Sequence, residues 1–168
     1  MLHLLDANIL ITAHNTYYPI DRVPEFWTWI QHQGISGSIK IPMEIYEEIL
    51  AGNRRGDMLL DWVASDSSRE ALYFDEIVNP TLVRQVVSQG YANDLTDDEV
   101  EKLGRDPFLI AYALAAAQDR CVVTTETSRP TKTRHNKKIP DVCLAMGVTC
   151  YDPFRLYRDQ GFMTKWRS

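Results

Sequence analysis

No stretch of the sequence approaches the roughly 20 consecutive apolar residues that span a bilayer, and no secretory leader pattern precedes the first apolar run. A soluble, cytoplasmic protein with no membrane partner is therefore expected. Cysteine is scarce: Cys121, Cys143 and Cys150 are odd in number, lack C-x-x-C spacing and lie in or beside apolar segments. That pattern favours buried free thiols over bridges or zinc ligands. The histidines His3, His14, His32 and His135 show neither HExxH nor paired spacing, which removes the usual zinc-hydrolase signature. Positive charge is short as well, and the net charge of −5 argues against a protein that coats nucleic acid through overall charge. Internal repeats, linkers and domain boundaries are absent.

What remains is an ordinary globular composition, with 45% hydrophobic and 24% charged residues among 168. A chain of this size buries roughly 70% of its unfolded surface and needs no staples. One domain over residues 1–158 is expected, with 159–168 as a C-terminal tail. Charge is unevenly spread. Arg129, Lys132, Arg134, Lys137 and Lys138 crowd into one short segment, and Asp94, Asp97, Asp98, Glu99 and Glu101 into another. One face can then be basic although the whole is acidic.

The opening run Leu-His-Leu-Leu-Asp-Ala-Asn-Ile-Leu-Ile puts an apolar strand against Asp6, with Asn8 two residues on, and apolar character resumes in a short helix to about His14. Pro24 suits the first position of a helix over 25–33 that Gly34 closes. A strand over 38–41 leads to a helix from Pro42 to about Leu50, and a polar loop at 53–56 carries Arg54 and Arg55. A helix over 58–64, a loop at 65–69 and a short edge strand at 71–74 follow. Asn79-Pro80 starts a helix over 81–89 that Gly90 ends. Thr96-Asp-Asp-Glu99 is a capping box. Asp106-Pro107 opens a long apolar helix to about Gln118, then come a strand over 121–125, a basic loop over 128–138, a helix over 140–146 ended by Gly147, a strand over 148–151 and a final helix capped by Asp152-Pro153. Strands alternating with helices predict a three-layer α/β/α fold with a mainly parallel sheet of four to five strands.

In such a sheet the carboxyl ends of the strands share one edge, where ligands bind. Four acids far apart in sequence can meet there: Asp6, a Glu of the Pro42 helix, Asp106 and Glu126. Hard divalent ions prefer oxygen ligands, and metal is the natural reason to keep several carboxylates ionised together. Each acid also has a plain structural role open to it. Asp6 and Asp106 can cap helices, and Glu126 can be a solvated loop residue. On the Pro42 helix, periodicity places Glu44 opposite the core and leaves Glu47 and Glu48 flanking the buried face. Trp27, Trp29, Trp62 and Trp166 can stack on bases, but core packing suits most of them better.

Four segments resemble the motifs of the PIN-domain family of metal-dependent ribonucleases, over roughly residues 2–154. Leu-Leu-Asp6-Ala-Asn8 is similar to the first motif and Ile41-Pro-Met-Glu-Ile-Tyr-Glu-Glu48 to the second. Asp106-Pro-Phe-Leu-Ile-Ala-Tyr resembles the third, and Val122-Val-Thr124-Thr-Glu126 the fourth, with Glu where Asp is commoner. The resemblance implies Mg2+ or Mn2+ held by Asp6, Glu48, Asp106 and Glu126 as the catalytic acids, with Asn8 and Thr124 as orienting groups or plain caps. It implies hydrolysis of RNA phosphodiester bonds, with water as the nucleophile and the basic loop residues Arg129, Lys132, Arg134, Lys137 and Lys138 holding the RNA backbone. It further implies a VapC-like toxin of a divergent branch, with an antitoxin protein or a second copy of the chain as partner. The rival readings are a catalytically degenerate PIN fold that only binds, a structure-specific DNA nuclease and a haloacid-dehalogenase-type phosphatase. The last wants an Asp where this chain has Asn8.

Overall fold

The computed structural model describes residues 1–52 and 57–167, so the polar loop expected at 53–56, with Arg54 and Arg55, lies outside the described residues. The chain runs β1 (Leu2–Leu5), α1 (Ala7–Thr12), a π-helical turn (Ala13–Tyr17), α2 (Pro24–Ile35), β2 (Ile39–Pro42), α3 (Met43–Ala51), α4 (Met58–Ala64), α5 (Asp66–Leu72) and β3 (Tyr73–Phe74). It continues through α6 (Pro80–Gln85), a second π-helical turn (Val86–Tyr91), α7 (Asp97–Lys102), α8 (Asp106–Leu114), β4 (Arg120–Val123), α9 (Ile139–Met146), β5 (Thr149–Tyr151) and α10 (Pro153–Asp159). The sheet has five strands in the order β3-β2-β1-β4-β5, and every pairing is parallel. Helices flank it in an α/β/α arrangement, as the alternation of strand and helix patterns requires. Leu4, Leu5, Cys121, Val122 and Val123 are fully buried, because a parallel strand covered on both faces must be apolar throughout.

From β1 the chain builds outward through β2 and β3, then returns to place β4 and β5 on the other side of β1. The order therefore reverses between β1 and β4, and the crevice beyond their carboxyl ends is where this class of sheet binds ligands. Asp6 stands at its floor, its N–H donating to the Val123 carbonyl at 2.9 Å across that junction.

Several local expectations are corrected by packing. Residues 65–69 form most of a helix, α5, because the Ser65 side chain accepts from the Ser68 N–H and starts it. Gly34 does not end its helix. It lies inside α2, where an added Cβ would fall 2.5 Å from the Ala71 carbonyl oxygen, so its role is close approach of α2 to the end of α5. Gly90 likewise lies inside the second π-helical turn. Helix α8 stops at Leu114. Glu44 is buried, 6% exposed, since α3 is covered by neighbours on more than the one face that periodicity revealed. Beyond α10, Phe162 joins the aromatic cluster of Tyr18, Phe26, Trp29 and Tyr157, and the Trp166 indole donates to the Glu25 carbonyl. The segment expected as a tail thus packs onto α2. Trp27 and Trp29 are core residues, and Trp62 packs edge-on against Trp27.

Candidate functional site

Asp6 precedes α1 in the cap position, where the nearby Asn8 backbone favours its charged form. It is 4% exposed, and its carboxylate accepts from the Thr124 hydroxyl at 2.8 Å. Thr124 follows β4, and its own oxygen accepts from the Glu126 N–H at 3.1 Å, so one buried hydroxyl links the ends of β1 and β4. Asp106 is the first residue of α8, with Arg105 in the cap position before it. Capping does not account for either aspartate, since Asp6 also bonds Thr124 and Asp106 stands one residue inside its helix.

The electrostatics tie these acids to one another. Burial, reinforced by the charges of Asp6, Glu126 and Glu48, pushes the Asp106 carboxyl up to about 7, against a smaller opposing effect of Lys138. Burial also raises Asp6; hydrogen bonding from Thr124 and from Asn8 works the other way, and the charge of Glu126 adds to the rise. Glu48 is raised by partial burial and then by Asp6, with Arg105 opposing. Periodicity left Glu47 and Glu48 equal; it is Glu48 that feels Asp6. Residues separated by tens of positions in sequence therefore share one electrostatic environment at the switch point.

Glu126 behaves differently. Its Oε1 accepts from the Lys138 ammonium at 2.6 Å and its Oε2 from the Ile139 N–H at 2.8 Å, so both oxygens serve the start of α9. Among the described residues, no three His, Cys, Asp or Glu side chains stand ready to hold a metal ion.

The basic loop is less free than its composition suggests. Arg134 donates to Asp94 Oδ1 at 2.7 Å and to Glu99 at 2.7 and 2.8 Å, and His135 lies 3.0 Å from Glu99. Glu99 is the acid of the capping box expected from sequence, which forms as read. The Arg134 guanidinium beside it holds its carboxyl well below the usual range. Arg134 itself takes φ 55, a left-handed conformation unusual for a residue with a Cβ, and these ion pairs hold it there. Lys137 donates to the Gly90 carbonyl at 2.8 Å. The acidic run thus neutralises part of the basic run. Arg129 and Lys132 remain exposed, and with Lys102, Lys137 and Lys138 they wall a cleft of about 490 Å³ that reaches Asp106 and Glu126.

Sequence reasoning missed Lys102 and Tyr91. Tyr91 is 3% exposed, and its hydroxyl has no hydrogen-bond partner among the described residues. Burial and the neighbouring Asp106, Cys143, Glu126 and Asp6 drive its pKa upward, so a neutral phenol faces the acids. It is carried there by the second π-helical turn, which lies close on α9: a Cβ on Gly90 would meet Val142 Cγ1 at 2.7 Å. Such turns recur at functional sites, but no residue pattern announces this one. Removing an orphaned buried hydroxyl relieves its desolvation cost. Tyr91→Phe is therefore expected to stabilise the metal-free chain by about 1 kcal/mol in urea unfolding, and a loss of stability would show that the hydroxyl has a partner.

Comparison with curated proteins and with solved structures gives no match. A family described as a domain of unknown function (DUF4411) matches residues 3–164, nearly the whole chain. The chain that places Asp6, Glu48 and Asp106 at its sheet switch point therefore belongs to the DUF4411 family.

Proposed function

We propose that this chain is a metal-dependent nuclease that hydrolyses RNA phosphodiester bonds at the carboxylate cluster of Asp6, Asp106 and Glu48. The observation that carries the reading is the burial of Asp6 and Asp106 beside acids that repel them, which leaves Asp106 with a carboxyl pushed up to about 7. Burying like charges together is unfavourable unless a cation or protons compensate. The donors fit a hard divalent ion such as Mg2+ or Mn2+ rather than zinc. Carboxylate oxygens dominate, and the nearby Cys143 thiol is held protonated by its contact with Cys150 and by burial. One or two carboxylates with water and substrate phosphate suffice for such an ion. The resemblance to PIN domains supports the same reading.

Asp6 and Asp106 would hold the ion, with Thr124 fixing the rotamer of Asp6 through its 2.8 Å hydrogen bond. A divalent ion at this point supplies the positive charge that lets water act as nucleophile near neutral pH. Arg129, Lys132 and Lys102 would receive the phosphates on either side of the scissile bond, since phosphate contacts position a nucleic acid without reading its sequence. Incubation of the purified chain with labelled RNA and with flap DNA, in Mn2+ and in EDTA, tests the reading. RNA cleavage that needs the metal is the expected result, and preferential cutting of the flap would favour the DNA nuclease instead. The toxin role that the resemblance implies predicts growth arrest on expression.

A further inference from the structure

Glu126 is the acid that departs from the pattern of the other three. Its backbone is tied to Asp6 through Thr124, while its side chain turns away to Lys138 and the first N–H of α9. Both carboxylate oxygens are thereby used. The longer side chain of Glu, compared with Asp, gives it the reach to span from the end of β4 to α9. Lys138 is correspondingly well fixed. It is the residue that precedes α9, with extended backbone at φ −90 and ψ 150, and the neighbouring Lys137 is anchored to the Gly90 carbonyl. Lys138, Glu126 and Asp106 line one cleft.

We infer that Lys138, held by Glu126, is the resident second cation of this site, so that the chain takes a single divalent ion on Asp6 and Asp106 and does not use Glu126 as a ligand. The inference rests on the nuclease reading and specifies its metal count. Where two ions share phosphodiester cleavage they stand about 4 Å apart, which needs carboxylates on both. With Glu126 committed to an ammonium, the carboxylate that the end of β4 would add for a second ion is already taken. An ammonium offers a compact charge with three donors. One bond goes to Glu126, and the others can reach a phosphate oxygen in the cleft. Asp106 already senses this charge, since Lys138 opposes the rise of its pKa. The phenol of Tyr91, buried beside the same acids without a partner among the described residues, offers a further donor for the water or phosphate oxygen that completes the shell.

Calorimetric titration of Mn2+ into the metal-stripped full chain, with electron paramagnetic resonance of the loaded protein, tests this. Expected are one Mn2+ per chain with the signal of an isolated ion, and the same stoichiometry in Glu126→Gln, whose amide oxygen can still accept from Ile139. Lys138→Met should bind Mn2+ more tightly, because a competing positive charge is gone. It should also lose about tenfold or more in kcat/KM for RNA, the size of one charge-assisted hydrogen bond, and Lys138→Arg should recover part of that. Circular dichroism melts of each variant separate a folding defect from a site effect. Two ions with a coupled spectrum in the unaltered chain would overturn the inference and leave the nuclease standing, as would loss of an ion in a folded Glu126→Gln. No uptake by the unaltered chain would overturn both.

Discussion

Asp6→Asn is expected to lower metal-dependent RNA cleavage by more than about 100-fold, beyond the 10–100-fold typical of losing an outer-shell partner. The substitution keeps the shape of the side chain and an oxygen able to accept from Thr124 at the 2.8 Å position, and removes only the charge. Because burial opposes that charge, the variant should fold as well as the parent or better. The two readouts together are what make the result informative. A folded variant that cuts RNA at the parental rate would remove Asp6 from the mechanism, whereas one that fails to fold would assign Asp6 to structure. Thr124→Val should fall between the two, within the outer-shell range, since Asp6 would keep its charge but lose its orienting donor.

The second large effect concerns Asp106 and pH. Its folded carboxyl is pushed up to about 7 from an ordinary value of 3.8, so between those values the folded chain holds a proton that the unfolded chain has released. Stability falls with rising pH wherever the folded state binds more protons. In EDTA the parent should therefore be most stable near pH 4, lose stability as pH rises toward 7, and change little above it. The shift from 3.8 to about 7 sets the size of the loss at about 4 kcal/mol, taken over a group that is mostly buried. Asp106→Asn should remove most of this slope and exceed the parent in stability at pH 7.5. Mn2+ should restore stability to the parent but not to the variant, because a cation on the ionised carboxylate replaces the proton. Urea unfolding across pH 4 to 8, with and without Mn2+, measures all of this. A flat profile in the metal-free parent would show that Asp106 is not held in a raised state.

The sequence by itself determined the architecture and the skeleton of the site. Apolar runs of strand length alternating with amphipathic stretches imposed a parallel sheet, and the short-range chemistry of Pro107 and of Thr96 with Glu99 set helix starts correctly. Asp6 and Thr124 were locatable because each directly follows an apolar strand, with Glu126 two residues beyond Thr124, and parallel topology brings strand ends to one edge. Periodicity reached its limit at α3. It sees one buried face, whereas α3 is enclosed more widely, so Glu44 is buried and Glu48 rather than Glu47 meets Asp6. The boundaries at Gly34 and Gly90 failed for a related reason, since both glycines admit a neighbouring element instead of ending a helix.

Only the tertiary structure decided which charges find each other. Nothing local pairs Arg134 with Glu99 or Lys138 with Glu126, and nothing in the segment around Gly90 announces that Tyr91 will bury its hydroxyl beside the acids. Local propensity acts over a few residues along the chain, whereas these contacts depend on distances through space that exist only after the sheet has closed. That is why the acids could be named from the sequence, while the partner each one keeps, and hence the chemistry left to it, could not.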